Sequence, residues 1–221
     1  MKTLSKLIAV ILFISAIVTS LISCDRDYDE KEVLTAAESL IKKSDILEDI
    51  IFGKGFDKHI DGTSAYQPAV EEDVKRYREA LGESFKTVDE LKAVLSKVYT
   101  VGYKNDILSG VLSGDMNFYT RYYQDGDNIM VYTNFDVKKK DEIEYHYETL
   151  KVSDVNDQKI TVSIEVTVTR TEGKDQKSQR KEIFIDMLEE IDGWKLDTPT
   201  YAVYNENEQS YKDLENELNK R

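Results

Sequence analysis

The chain of 221 residues has one cysteine, two prolines, two histidines and one tryptophan. A lone cysteine excludes an internal disulfide and any zinc site built on several thiolates. Two histidines and the one thiol fall short of the four ligands of a closed structural zinc site. The sequence contains neither a glycine-rich phosphate loop nor a Gly-x-Ser-x-Gly nucleophile elbow. Positive charge is also short: 30 Lys and Arg stand against 43 Asp and Glu, a net charge of −13. No Lys/Arg stripe offsets this, so the surface repels nucleic acid phosphates and anionic lipid heads. Acidity of this kind serves solubility, or a surface complementary to a basic partner. Internal repeats and low-complexity tracts are lacking as well, and the length suits one domain with appendages.

The one cysteine sits at the end of the only long apolar run. Lys2 and Lys6 form a short positive region, and residues 7–23 are uncharged and strongly apolar. That is the layout of a secretory signal, drawn into the membrane with its positive end inside. The run closes on Leu21-Ile22-Ser23-Cys24, which resembles the lipobox of bacterial lipoproteins. The resemblance implies a diacylglycerol on the Cys24 thiol and cleavage just before it. Residues 1–23 are then a signal peptide and 24–31 a charged tether. The protein is expected at the cell membrane, lipid-anchored on its extracytoplasmic face, where two acyl chains suffice for stable anchoring. An ordinary cleaved signal and an uncleaved anchor share the layout. The position of the sole cysteine favours the lipoprotein. Asp25 resembles an inner-membrane retention signal in two-membrane bacteria and carries no meaning in one-membrane bacteria.

Beyond the tether, a helix is expected from about residue 29 to 52, because Val33, Ala37, Leu40, Leu47 and Ile51 recur at three- and four-residue steps, widened by Ile41 and Ile50. Lys42, Lys43, Glu48 and Asp49 are assigned to its other faces, and Gly53 and Gly55 end it. Residues 57–73 read as a loop, and 74–81 as either helix or strand. Thr87-Val88-Asp89-Glu90 is a capping box opening a helix that buries Leu91, Val94, Leu95 and Val98. Thr100 caps a further helix through Tyr103, Ile107, Leu108, Val111 and Leu112 to Gly114. The period then changes to two. Strands are expected over 117–124 and 129–134 around a turn at 125–128, then around Ile143 to Thr149, and from Ile160 to Val168. A polar link over 171–178 precedes a strand carrying Ile183, Ile185 and Met187. Asp192-Gly193 turns the chain into Trp194-Lys195-Leu196, with Trp194 largely buried. Ser210 caps a final helix. Helices first and antiparallel strands afterwards mean α+β, with helices on one face of one bent antiparallel sheet.

This order of elements resembles the NTF2-like (cystatin-like cone) fold. Thr87-Val88-Asp89-Glu90-Leu91-Lys92, Val98-Tyr99-Thr100 with Tyr103, Arg121-Tyr122-Tyr123 before an Asp-Gly turn, and the run from Gly193-Trp194-Lys195-Leu196-Asp197 to Tyr201 resemble exported proteins related to the IseA inhibitor of cell-wall DL-endopeptidases. The likeness covers roughly residues 75–201. It implies an NTF2-like domain over 32–204 and leaves 205–221 as a C-terminal helical tail. It also implies a binding module at the cell envelope that modulates wall hydrolases. The inhibitor's contact residues do not map onto this chain.

Tyrosine is abundant, at 14 residues. Alternation turns part of the set toward the concave side of the sheet, where aromatic walls with polar tips suit a ligand or simply fill the core. The candidate pocket comprises Tyr122, Tyr132, Tyr145, Tyr147, Trp194 and Asp197. Asp197 is the carboxylate best placed for acid–base work of the ketosteroid-isomerase kind, or for closing the strand by bonding nearby amides. His59 falls in a loop. His146 between Glu144 and Glu148 offers a metal array but reads better as a solvated strand face. Asp125, Asp127 and Asn128, like Asp154, Asn156 and Asp157, sit at turns for backbone reasons and lack the full calcium-loop pattern. The expectation is a protein without catalytic residues, metal or cofactor, whose partners are the membrane through its lipid and an envelope protein or wall hydrolase, with no nucleic acid. A small-ligand-binding or enzymatic cone is the alternative. Cys24→Ser should abolish acylation and move the protein out of the membrane fraction or leave it unprocessed. Metabolic labelling with a fatty acid checks this, and labelling that persists in the variant would refute the lipobox.

Overall fold

A computed structural model describes residues 28–59, 64–105, 120–134, 142–156, 159–172, 175–198 and 200. The leader, Cys24, the helix expected through 107–114, Tyr201 and the helix capped by Ser210 lie outside the described residues. The apolar stripe of the first segment folds as α1 (Glu30–Ile51). Asp29 caps it, its Oδ1 accepting from the amides of Lys31 at 2.9 Å and Glu32 at 3.2 Å. Glu30 and Glu32 in the first turn complement the helix dipole. The cap and first turn of α1 thus occupy the end of the expected tether.

The stretch expected as a loop is more ordered than its composition suggests. Tyr66–Pro68 forms strand β1, and α2 begins at Glu71 and runs to Leu81, which resolves 74–81 as helix. Three acids, Glu71, Glu72 and Asp73, occupy its first turn, and Gly82 ends it at φ 64°. Val88–Val98 forms α3. Thr87 accepts from the Glu90 amide at 3.1 Å as expected. Glu90 reaches back to the amide of Lys86 rather than to Thr87, so the box closes one residue early. Thr100 accepts from the Tyr103 amide at 3.3 Å, and residues 101–105 are helical.

The strands make two antiparallel sheets, which corrects the single bent sheet. In the first, β2 (Tyr122–Asp125) and β3 (Asn128–Tyr132) form a hairpin and β1 adds to the far side of β3, in the order β1-β3-β2. The segment read as a loop thereby fills the second edge of β3, so β3 has no edge left to pair with β4. The second sheet is the meander β4 (Glu142–Val155), β5 (Lys159–Glu172), β6 (Asp175–Glu190) and β7 (Gly193–Leu196). The polar link expected over 171–178 is mostly strand, with Glu172 facing Asp175. Hydrogen bonding across a hairpin does not require apolar side chains. The last turn also sits earlier than expected: Glu190 faces Gly193, so Ile191 and Asp192 form the turn.

Ile160, Val162, Ile164 and Val166 of β5 and Ile185 and Met187 of β6 are fully buried on one face. Helices α1 and α3 pack there, α1 against β4 and β7 and α3 against β7. The opposite face carries cross-strand ion pairs, Lys151–Glu182 at 3.1 Å and Lys159–Asp186 at 2.5 Å. His146 of β4 faces Glu165, but Lys151 faces Ser163, so residues 147–150 stand against Ile164 alone. Thr149 fills this bulge: its hydroxyl donates to the His146 carbonyl at 2.7 Å and accepts from the Glu165 amide at 2.9 Å.

The far end of α1 has no basic residue in its last turn, and its orphan carbonyls are buried. Arg121 supplies the cation from just before β2. Its guanidinium donates to the carbonyls of Ile51, Gly53 and Lys54 at 2.6, 2.7 and 2.8 Å. The Tyr122 hydroxyl donates to Ile50 at 2.7 Å. Gly55, at φ 65°, lies so close that a Cβ would meet both Arg121 Nη2 and the Tyr122 hydroxyl at 2.2 Å. Arg121→Met should cost roughly 3–5 kcal/mol by stranding three helix-end carbonyls, read as a lower urea midpoint. A midpoint within error of the parent would show that water replaces the guanidinium without penalty.

Candidate functional site

The six residues expected to share a pocket are split between the two sheets. Tyr122 in β2 is buried, its ring 5.0 Å from that of Phe56. Tyr132 in β3 packs at a tilt against Tyr66 of β1, centroids 5.2 Å apart, and Tyr66 in turn meets Tyr123 edge-on. Tyr145 and Tyr147 in β4 form a separate pair, centroids 6.0 Å apart and planes 27° from parallel. Lys42 of α1 sits 4.8 Å above the Tyr147 ring. Trp194, on strand β7, is partly buried and packs against the core. Leu196, in step with it, is fully buried.

Asp197 follows β7 directly. Its Oδ1 accepts from the Thr100 hydroxyl at 2.5 Å, and its amide donates to the Asp186 carbonyl at 2.8 Å. It therefore joins the start of the 101–105 helix to the sheet, its carboxylate meeting a hydroxyl where nearby amides were expected. His146 takes part in the solvated face: its Nε2 lies 2.7 Å from the Thr167 hydroxyl and its Nδ1 3.7 Å from Glu148. Among the described residues no group of three or more His, Cys, Asp or Glu is arranged to hold a metal ion.

The geometry adds a polar cluster that periodicity assigned to a solvated helix face. Glu48 of α1 is only 1% exposed. The Ser44 hydroxyl, fully buried, lies 2.8 Å from the Tyr99 hydroxyl and 2.8 Å from that of Thr200. Thr200 in turn donates to Glu48. Tyr145 approaches the same group. Burial first, and then the Glu48 and Asp45 carboxylates, push its phenol well above the usual tyrosine range. The cluster is a buried carboxylate ringed by hydroxyls from α1, the end of α3, β4 and the segment after β7. The signal that could have found it is Ser44, a small polar residue inside the apolar stripe.

A second feature is open. Between α2, the β2–β3 turn and the segment around β1 lies a cavity of about 410 Å³. Its walls include His59, Glu71, Arg78, Lys86 and Asp127. None of the six expected pocket residues lines it.

Tyr122 gives a titration test of the packing. Burial pushes its phenol up to about 12 from 10.0, opposed by the neighbouring Arg121 charge. A raised phenol pKa means that the folded chain holds the proton more tightly than the unfolded one. The stability it contributes is full below pH 10.0 and is lost as pH rises toward about 12. Tyr122→Phe should cost about 1–3 kcal/mol at neutral pH by stranding the Ile50 carbonyl, and the gap to the parent should narrow over that alkaline window. Denaturant melts at neutral and alkaline pH measure it, and a gap that widens with pH would contradict the assignment. Among the described residues no helix is long and apolar enough to cross a membrane. No protein-family model and no curated protein matches the chain at a significant level.

Proposed function

We propose that the chain is a membrane-anchored, extracytoplasmic lipoprotein whose NTF2-like domain acts as a non-enzymatic binding module at the cell envelope. The single observation that carries the binding reading is how the expected pocket residues are used. Tyr122 is spent on the end of α1 and Asp197 on Thr100, so neither is held ready for a substrate. Recognition then falls to the outer surface. The lipobox ending in Cys24 supports the anchoring, and the likeness to DL-endopeptidase inhibitors supports a wall hydrolase as partner. Acidity suits a basic surface on that partner. One observation favours the alternative, a small-ligand or enzymatic cone: the buried Glu48 among hydroxyls resembles an acid–base site. That reading requires a turnover lost in Glu48→Gln.

The test is an assay of a purified cell-wall DL-endopeptidase on wall material, with and without this chain. Saturable slowing by the parent and equally by Asp197→Asn is the expected outcome. A turnover by the chain itself that vanishes in Asp197→Asn while the melting curve stays put would overturn the non-enzymatic assignment, and an unaltered hydrolase rate would remove the hydrolase as partner.

A further inference from the structure

The open cavity between α2 and the β2–β3 turn has features the envelope reading does not use. Pro68, Val74 and Ile129 contribute apolar side chains to a lining that is otherwise largely polar. Its size falls within the range of small-molecule sites, roughly 300–1,000 Å³. The charges around it divide into two kinds. Arg78 and Glu71 are paired within the wall, Nη1 to Oε1 at 2.7 Å. The guanidinium is held in place by lying 5.3 Å from the Phe85 ring centroid, and its Nε is buried without an acceptor among the described residues. A buried N–H without an acceptor is costly. Lys86 and Asp127 are exposed side chains that also line the cavity, and among the described residues neither forms an ion pair.

We infer that this cavity binds a small zwitterion of the amino-acid or short-peptide class, its carboxylate toward Arg78 and Lys86 and its ammonium toward Asp127. Charge balance selects this class. Two cations and two carboxylates line the site, so a simple anion or cation meets as much repulsion as attraction, whereas a ligand carrying both charges offsets both. The apolar side chains of Pro68, Val74 and Ile129 suit a short aliphatic body between the charged ends. The assignment rests on the cavity alone and goes beyond the proposed envelope role.

The experiment is saturation-transfer NMR and titration calorimetry on the full chain in detergent. The probes are alanine, alanyl-alanine, its N-acetyl derivative, its C-terminal amide and inorganic phosphate. At least one of the two free zwitterions should bind, and blocking either end of the dipeptide should weaken it about tenfold or more. Tighter binding of the dipeptide or of alanine supports the site equally and names the source as peptide or free amino acid. Lys86→Gln should reduce the preference for carboxylate over amide, and Asp127→Asn the preference for free amine over acetyl. Both residues are exposed, so both variants should keep the parent melting curve. No binding by either zwitterion, equal binding of the blocked and free dipeptides, phosphate binding as tightly as the dipeptide, or unchanged preferences in both folded variants would each overturn the assignment.

Discussion

The capping of the buried end of α1 is the contact on which the rest of the arrangement depends. A helix that runs into the core leaves carbonyls that water cannot reach, and each one costs free energy unless a donor is brought to it. Here the donors come from about seventy residues further along the chain: Arg121 takes the carbonyls of Ile51, Gly53 and Lys54, and Tyr122 takes Ile50. A guanidinium suits the place because its planar fork reaches several oxygens at once and its charge complements the negative end of the helix dipole. Burial lowers the Arg121 pKa against partial compensation from Tyr122 and Asp49. From this one contact follow the position of the three-stranded sheet, the need for glycine at 55, and the approach of α2, whose Tyr77 hydroxyl bonds Asp49 beside the same helix end.

A second seam closes the other side. Ser44, Glu48, Tyr99 and Thr200 draw α1, the end of α3 and the segment after β7 into one hydrogen-bonded group. Buried carboxylates are rarely favourable on net free energy, and they persist where several donors meet them in fixed positions. The bulge in β4 belongs to the same seam. By letting four residues oppose one, it alters the course of the strand next to α1, and Tyr145 and Tyr147 stack nearby. The tyrosines once grouped as a pocket are thus divided among helix capping, sheet packing and this seam, and that division underlies the binding-module reading.

Alternation told which tyrosines face the interior but not what they meet there. Tyr122 and Tyr145 both point inward, yet their rings lie against different elements in different sheets. Asp197 was legible as a group close to the strand end, because a carboxylate just past a strand finds amides and hydroxyls within reach. Glu48, the more deeply buried acid, was not. It flanks the apolar stripe of α1, where a charged residue ordinarily points to water, and the hydroxyls of Ser44 and of Thr200, the latter distant in the chain, make its burial tolerable. Arg78, Lys86 and Asp127 were equally invisible as a group, since three separate elements bring them to one cavity.

The sequence by itself determined the α+β class, the first and third helices, the Thr87 cap, the β2–β3 turn and the core face of β5. Each depends on neighbours a few residues apart, through helical or alternating periodicity and local hydrogen bonds. Tertiary structure decided the rest. Two sheets formed instead of one because residues 66–68, too short and polar to read as a strand, found an open edge on β3. The β5–β6 hairpin extends through polar residues because backbone pairing across a turn does not depend on hydrophobicity. Arg121 and Glu48 are buried because partners far along the chain satisfy them, and the energy of that satisfaction is invisible in any local window of sequence.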